Sequence, residues 1–237
     1  TAIYTRCLAL ALKDQGVDVA VLTQAPASNS TDEEELPLPV TRIPYTRNVA
    51  RRYARSLGSL RAHLDHFHPD CLWTTNGMGT RVAGLVGELP CPLITSVRGS
   101  DIRTRLPARG PWRRLEGAIQ RRAYRRSAGI AAACRDLRTY TIRQGVDERR
   151  LFVSHSAFDL ARLDSLSASL EKFDREPSTL LTVTRLTRQK RVDVLLRAVA
   201  IALRDVPDLN LVVVGDGPER AGLEKLAQQL QISRRVR

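Results

Sequence analysis

Residues 180–230 read LLTVTRLTRQKRVDVLLRAVAIALRDVPDLNLVVVGDGPERAGLEKLAQQL, and the fold is decided there. Thr179 to Thr184 is a short β-branched and apolar run, the length of a buried strand. Arg185-Leu186-Thr187-Arg188-Gln189-Lys190-Arg191 follows, with four positive charges and no acid. Val192, Leu195, Leu196, Val199 and Leu203 then recur at helical spacing and give one apolar face. Leu209 to Val214 forms a second apolar run, closed by Gly215-Asp216-Gly217-Pro218, and Leu223, Leu226, Ala227 and Leu230 mark the next helix. Two short apolar strands bracketing a helix make a βαβ unit, so the class is α/β and the sheet parallel.

The chemistry belongs to the two turns, because ligands in open α/β sheets bind outside the carboxyl ends of the strands. Arg185 and Lys190 leave one strand end. Gly215 and Gly217 leave the next, where backbone can approach a ligand closely and a helix N-terminus offers free N–H groups. Pro218 suits the first helical turn, where its missing N–H would be unpaired anyway. Asp216 reads as a cap of the following helix. A nucleotide-linked phosphate is the guest that fits.

Thr184-Arg185-Leu186, then Lys190, then Val212 to Glu219 resemble the donor-binding half of family-4 retaining glycosyltransferases. The resemblance implies the GT-B fold: two Rossmann-like domains with parallel sheets facing a cleft, the nucleotide sugar held mostly by the C-terminal one. On that pattern Arg185 and Lys190 meet the departing diphosphate, while Thr184, Gly215, Asp216, Gly217 and Pro218 line the donor turns. Thr184 and Arg191 stand where the family carries glycines. The family's His-Gly and following Asp fall on Arg98-Gly99 and Asp101, on the acceptor side. An arginine in place of that histidine suits an anionic acceptor or a donor phosphate; the alternative is a turn whose Gly99 meets only a backbone need. Ser154 to Asp159 falls on the family's Ile-Pro-Asn-Gly-Val-Asp, of which only Asp159 matches.

The implied activity is retaining transfer from a nucleoside-diphosphate sugar to a glycan, lipid or small-molecule acceptor, in the cytoplasm, for envelope polysaccharide. No cofactor is implied and no metal, and no Asp-x-Asp motif occurs. The implied layout is an acceptor-side domain over residues 1–160 lacking its first strand, a hinge at 161–177, and the start of the donor domain over 178–237. The family's Glu-x7-Glu pair would lie after Arg237, so both domains read as incomplete and the fragment as inactive by itself. A sugar-nucleotide epimerase shares this fold, and a degenerate or membrane-surface module is a further alternative. A dinucleotide dehydrogenase lacks support, because Gly215-Asp216-Gly217 has no third glycine.

Composition agrees with a globular chain: 237 residues, 43% hydrophobic, and no apolar run of membrane-spanning length. No leader is visible at the N-terminus. Cys7, Cys71, Cys91 and Cys134 are scattered and read as free, buried thiols. The formal charge is +13, and lysine supplies only Lys13, Lys172, Lys190 and Lys225. Between Arg98 and Arg150 stand 15 arginines against Asp101, Glu116, Asp136, Asp147 and Glu148, which points to an anionic neighbour. Trp112 to Arg126 predicts a basic amphipathic helix with Trp112, Leu115, Ile119 and Ala123 on one side. It packs on the sheet in the favoured reading, and in the other lies against anionic lipid at the inner membrane face. Nucleic acid is not expected, since no basic and aromatic stretch resembles a binding module.

Upstream, Thr1 to Asp14 predicts a helix with Ile3, Cys7, Leu8, Ala11 and Leu12 on one face and Gly16 as its stop. Val17 to Leu22 is expected as a strand, Pro26 to Glu35 as a surface loop, Val40 to Tyr45 as an edge strand. Asn48 to Phe67 predicts an Arg-rich helix buried through Leu57, Leu60, Leu64 and Phe67. His63, His66 and His68 cluster near its end, where a helix terminus outweighs a metal site. Cys71 to Thr75, Pro92 to Val97, Gly129 to Cys134 and Arg150 to Val153 are the remaining strands. Asn76 to Thr80 reads as a small-residue loop, with helices over Val82 to Val86 and Leu137 to Arg143.

Overall fold

A computed structural model describes residues 2–25, 36–99, 110–156, 158–168 and 178–237. The predicted loop over Pro26–Glu35, the acceptor-side Asp101 and the later part of the hinge fall outside them. The chain divides into two compact units, Thr1–Asp164 and Ser165–Arg237.

The first unit runs α1 (Ala2–Asp14), β1 (Val21–Gln24), β2 (Val40–Ile43), α2 (Val49–Phe67), β3 (Leu72–Thr74) and α3 (Gly77–Leu85). It continues β4 (Leu93–Val97), α4 (Pro111–Arg126), β5 (Ser127–Ala132), α5 (Arg135–Arg143) and β6 (Leu151–Val153), and α6 (Leu160–Ala168) runs across the division. β3, β4, β5 and β6 pair in that order, all parallel, and β1 pairs with β2, also parallel. Strand–helix alternation leaves each strand's carboxyl end facing a loop that opens a helix, and Arg98 and Ser156 sit at such ends. Leu93, Val97, Ile130 and Ala132 are almost wholly buried, as a parallel strand covered on both faces should be. α2 and α3 share a second core of Leu60, Leu64, Val82, Val86 and Cys91.

Five expectations shift. The buried face of α1 carries Tyr4 and Ala9, while Ile3 is 65% exposed; the stripe is turned by one residue, about 100°. β1 starts at Val21 rather than Val17. Gly16 N–H bonds Lys13 O and Val17 N–H bonds Leu12 O, so Val17 is spent closing α1 before any strand begins. The small-residue loop at Asn76 is the first turn of α3, because Asn76 Oδ1 accepts from Gly79 N at 2.8 Å and caps the helix. Trp112 and Leu115 are half exposed, and the buried side of α4 is Gly117, Gln120, Ala123 and Tyr124. The four cysteines are free, but only Cys91 is fully buried and Cys71 is exposed.

α4 is anchored by polar groups instead. Arg81 of α3 is 4% exposed and donates to Tyr53 Oη from Nε and to Gln120 Oε1 from Nη1, the latter at 3.4 Å. Tyr53 donates to Glu116 Oε1 at 2.9 Å, and Glu116 stands 3.6 Å from Arg81 Nε. Burial raises the Tyr53 phenol above its ordinary range, against the pull of Arg81. A buried guanidinium is tolerable because its charge is paired with Glu116 and its Nε and Nη1 find acceptors.

The second unit holds β7 (Thr179–Val183), α7 (Val192–Ala202), β8 (Asn210–Val214) and α8 (Arg220–Gln229). β7 and β8 are parallel in the register Thr179↔Asn210 through Val183↔Val214. Leu196, Val199, Leu209, Leu211, Ala227 and Ile232 form its core. The predicted βαβ unit is therefore present. Pro218 lies two residues before α8, in a turn rather than the first helical turn, and Glu219 is the N-cap.

Among the described residues no helix is long and apolar enough to cross a membrane.

Candidate functional site

Beyond the ends of β7 and β8 the two strands stay zipped together. Thr184 N–H bonds Val214 O at 2.9 Å, and Leu186 N–H bonds Asp216 O at 2.8 Å. Leu186 O in turn accepts from Glu219 N at 3.1 Å, and the Leu186 side chain is buried. The glycines make this possible. A Cβ on Gly215 would lie 1.9 Å from Thr184 O, and one on Gly217 would lie 2.3 Å from Leu186 O. Their φ angles, +151° and +158°, are also ones that side chains disfavour. The close approach expected toward a ligand is made toward the neighbouring loop. Asp216 Oδ1 accepts from Gly217 N at 2.7 Å and stands 4.0 Å from Arg220, so it closes its own turn and does not cap α8.

The anchored segment presents the basic residues. Arg185 precedes Leu186, and Lys190 closes a 3₁₀ turn whose Lys190 N–H bonds Thr187 O at 2.9 Å. Both side chains are exposed, and neither makes a hydrogen bond or ion pair with any described residue. The next arginine is committed elsewhere: Arg191 forks both oxygens of Asp193 at 3.0 and 3.1 Å. That pairing holds the Asp193 carboxyl below the usual carboxylate range. Two cations that no described residue compensates, on a loop of fixed backbone, suit a polyanion better than a single charge. A cavity of about 480 Å³ opens beside the glycine turn. Leu186, Val213, Gly215, Arg220, Ser233 and Arg237 are among its lining residues, and neither Arg185 nor Lys190 is.

In the first unit Arg98 leaves the end of β4 and Ser156 follows β6. Arg98 Nη2 donates to Ser156 Oγ at 2.6 Å, and its guanidinium carbon sits 3.5 Å from the Tyr4 ring centroid. Gly99 has φ +122° with open space around it, so its backbone conformation alone favours glycine. Sequence reasoning missed Tyr4, and the only signal for it was an aromatic side chain in the first turn of a helix that opens at the strand ends. His63 bonds Ser59 O and Thr41 Oγ1, His68 caps α2 in the left-handed region, and no metal-binding group of three occurs among the described residues.

Parallel β/α units with a basic loop and a glycine turn at adjacent strand ends define a Rossmann-like protein. A family model described as glycosyl transferase 4-like domain matches residues 1–156, and one described as glycosyl transferases group 1 matches residues 168–237. The chain belongs to the glycosyl transferase 4-like family. Among solved structures it resembles Anabaena Alr3699/HepE in complex with UDP and glucose, at TM-score 0.70 and 17% identity, over 99% of this chain and 64% of that one. The UDP-GlcNAc 2-epimerase of Methanocaldococcus jannaschii superposes at TM-score 0.59 and 14% identity, over 100% and 69%. These likenesses show the fold, which is that of GT-B glycosyltransferases. A subunit of the human phosphatidylinositol N-acetylglucosaminyltransferase is 33% identical over 76 residues, 32% of this chain and 16% of that protein. The chain thus spans less than two thirds of the length of HepE and a smaller part of the human protein.

Proposed function

We propose that the chain carries the acceptor-side domain and the diphosphate-gripping part of an enzyme that moves a hexose from a nucleoside-diphosphate sugar to an acceptor, with retention at the anomeric carbon. The observation that carries this reading is the pair Arg185 and Lys190, uncompensated by any described carboxylate, on a loop pinned to the Gly215–Gly217 turn. As the glycosidic bond breaks, negative charge grows on the leaving diphosphate. Cations fixed in advance near that oxygen stabilise it most in the transition state, which is what accelerates a reaction rather than merely tightening binding. Arg185 spans two oxygens and Lys190 adds a mobile point charge. This chemistry draws on no metal or cofactor. HepE binds UDP and glucose in its solved complex, and UDP-glucose is the natural first donor to try.

The acceptor is a glycan, lipid or small molecule, such as an envelope polysaccharide, and the enzyme acts in the cytoplasm with a peripheral hold on anionic membrane. That hold is supported by Trp112 and Leu115, half exposed beside Arg113 and Arg114 at the start of α4. A blue shift of tryptophan emission with phosphatidylglycerol vesicles, abolished by Trp112→Leu and absent with phosphatidylcholine, is expected; an unchanged spectrum refutes the hold.

The decisive experiment titrates inorganic pyrophosphate and UDP into the chain by calorimetry, beside Arg185→Ala and Lys190→Ala. Both variants should weaken each ligand at least tenfold, and equal affinity in all three proteins rejects the donor site. In transfer assays with the intact enzyme Arg185→Ala should lower turnover by roughly two to three orders of magnitude, as loss of a transition-state donor does. Product anomers read by proton NMR decide retention, and release of a free 2-epimer in place of a glycoside would favour the epimerase reading. Ligand binding without transfer would favour a non-catalytic module.

A further inference from the structure

Three side chains from separate elements converge where β4 and β6 end, and the donor chemistry above uses none of them. Arg98 hydrogen-bonds Ser156 Oγ at 2.6 Å and lies over the Tyr4 ring at 3.5 Å. No carboxylate pairs with it among the described residues. Tyr4 is 4% exposed, and its hydroxyl is buried without a donor or acceptor among the described residues. Native folds rarely leave such a group orphaned, and one that persists calls for a missing partner. The guanidinium carries five N–H donors, of which Ser156 takes one. The aromatic ring covers one face of the cation and fixes its place, without neutralising it.

We propose that Tyr4 and Arg98, with Ser156 as the strut that holds Arg98, bind an anionic group carried by the acceptor, a phosphate or a carboxylate on a sugar. Naming it the acceptor's group rests on the transferase reading; the anion site itself rests on this geometry. A permanently charged fork suits this task better than the histidine of the resembling family, because arginine keeps its charge at every working pH and spans two oxygens. The phenol adds a donor that a neutral hydroxyl on the sugar would not need.

The test uses the chain carrying Arg185→Ala and Lys190→Ala, so that phosphate cannot report on the donor loop. Glucose 6-phosphate, glucuronate and glucose are titrated by calorimetry. At least one anionic sugar should bind and glucose should not; the phosphate and carboxylate arms tell which anion is meant. Arg98→Gln should weaken the bound sugar at least tenfold, Arg98→Lys less, and Tyr4→Phe several-fold while keeping the ring beneath the cation. Circular dichroism checks each variant, and Tyr4→Phe decides the matter if Arg98→Gln does not fold. Binding of neither anion overturns the proposal, as does binding that survives Arg98→Gln or is as tight in Tyr4→Phe. The donor reading fails separately, if pyrophosphate binds equally to the wild type and to the Arg185→Ala, Lys190→Ala chain.

Discussion

Replacing Gly215 by alanine should unfasten the second unit. A Cβ there would stand 1.9 Å from Thr184 O, whereas real Cβ contacts stay above 3.0 Å, so backbone must move by at least 1.1 Å (3.0 less 1.9). The obstacle is a carbonyl held in a hydrogen-bonded strand extension, not the end of a side chain that can swing away. Such a movement opens Thr184 N–Val214 O and Leu186 N–Asp216 O, each worth about 0.5–1.5 kcal/mol net. The positive φ adds strain of about 1–3 kcal/mol for a residue with a Cβ. Together these give roughly 2–6 kcal/mol, and even at about 3 kcal/mol a unit of this size should melt some 12–24 °C lower. Trp73 and Trp112 both lie in the first unit, so the loss is best read by hydrogen exchange of peptides within 178–237 during urea unfolding. Gly58→Ala is the matched control. Gly58 sits inside α2 with nothing within 4 Å of an added Cβ, so alanine there should stabilise by about 0.5–1 kcal/mol. If Gly215→Ala unfolds within about 0.5 kcal/mol of the wild type, the zipped turn does not carry the loop.

Two further outcomes follow from the first unit. Arg81→Ala should destabilise it by about 3 kcal/mol, since it strips a buried charge from Glu116, Tyr53 and Gln120, and tryptophan-monitored urea unfolding measures that. Burial raises the Cys91 thiol above the ordinary value of 9.0. The folded state then holds that proton over a window the unfolded chain does not, so the contribution is complete below about pH 9 and is lost as pH rises through the raised value. Cys91→Ala should flatten that alkaline decline in a pH series of unfolding midpoints.

What was legible in the sequence was what several signals encode at once. Residues 179–230 carry strand length, helical period and turn chemistry that agree, and the elements appear where those signals put them. α4 was legible as a helix but not in its orientation. Its apolar residues Trp112 and Leu115 face outward, while Gln120 is fully buried because Arg81, 39 residues earlier, supplies a partner. Hydrophobic periodicity cannot report a face that is buried through hydrogen bonds. Tyr4 failed for a related reason: with Ile3 beside it, a short helix offers two faces one residue apart, and only the neighbouring elements choose between them. The cluster at the ends of β4 and β6 joins residues 4, 98 and 156, which no local pattern connects.

The departures from the family pattern bear on whether the donor loop still works. Thr184 replaces a glycine yet keeps a negative φ, so its side chain imposes no backbone strain. Arg191 replaces the other and does sit in the left-handed region, at φ +53°, where its guanidinium is tied to Asp193. That tie draws a surplus cation away while Lys190, its neighbour, pairs with no described residue. The glycines that no other residue can replace, Gly215 and Gly217, are both present and both hold Leu186 and Thr184 in place. The two glycines are needed for the stability of the unit whatever the loop binds, so the proposed donor role stands on Arg185 and Lys190, which pair with no described residue.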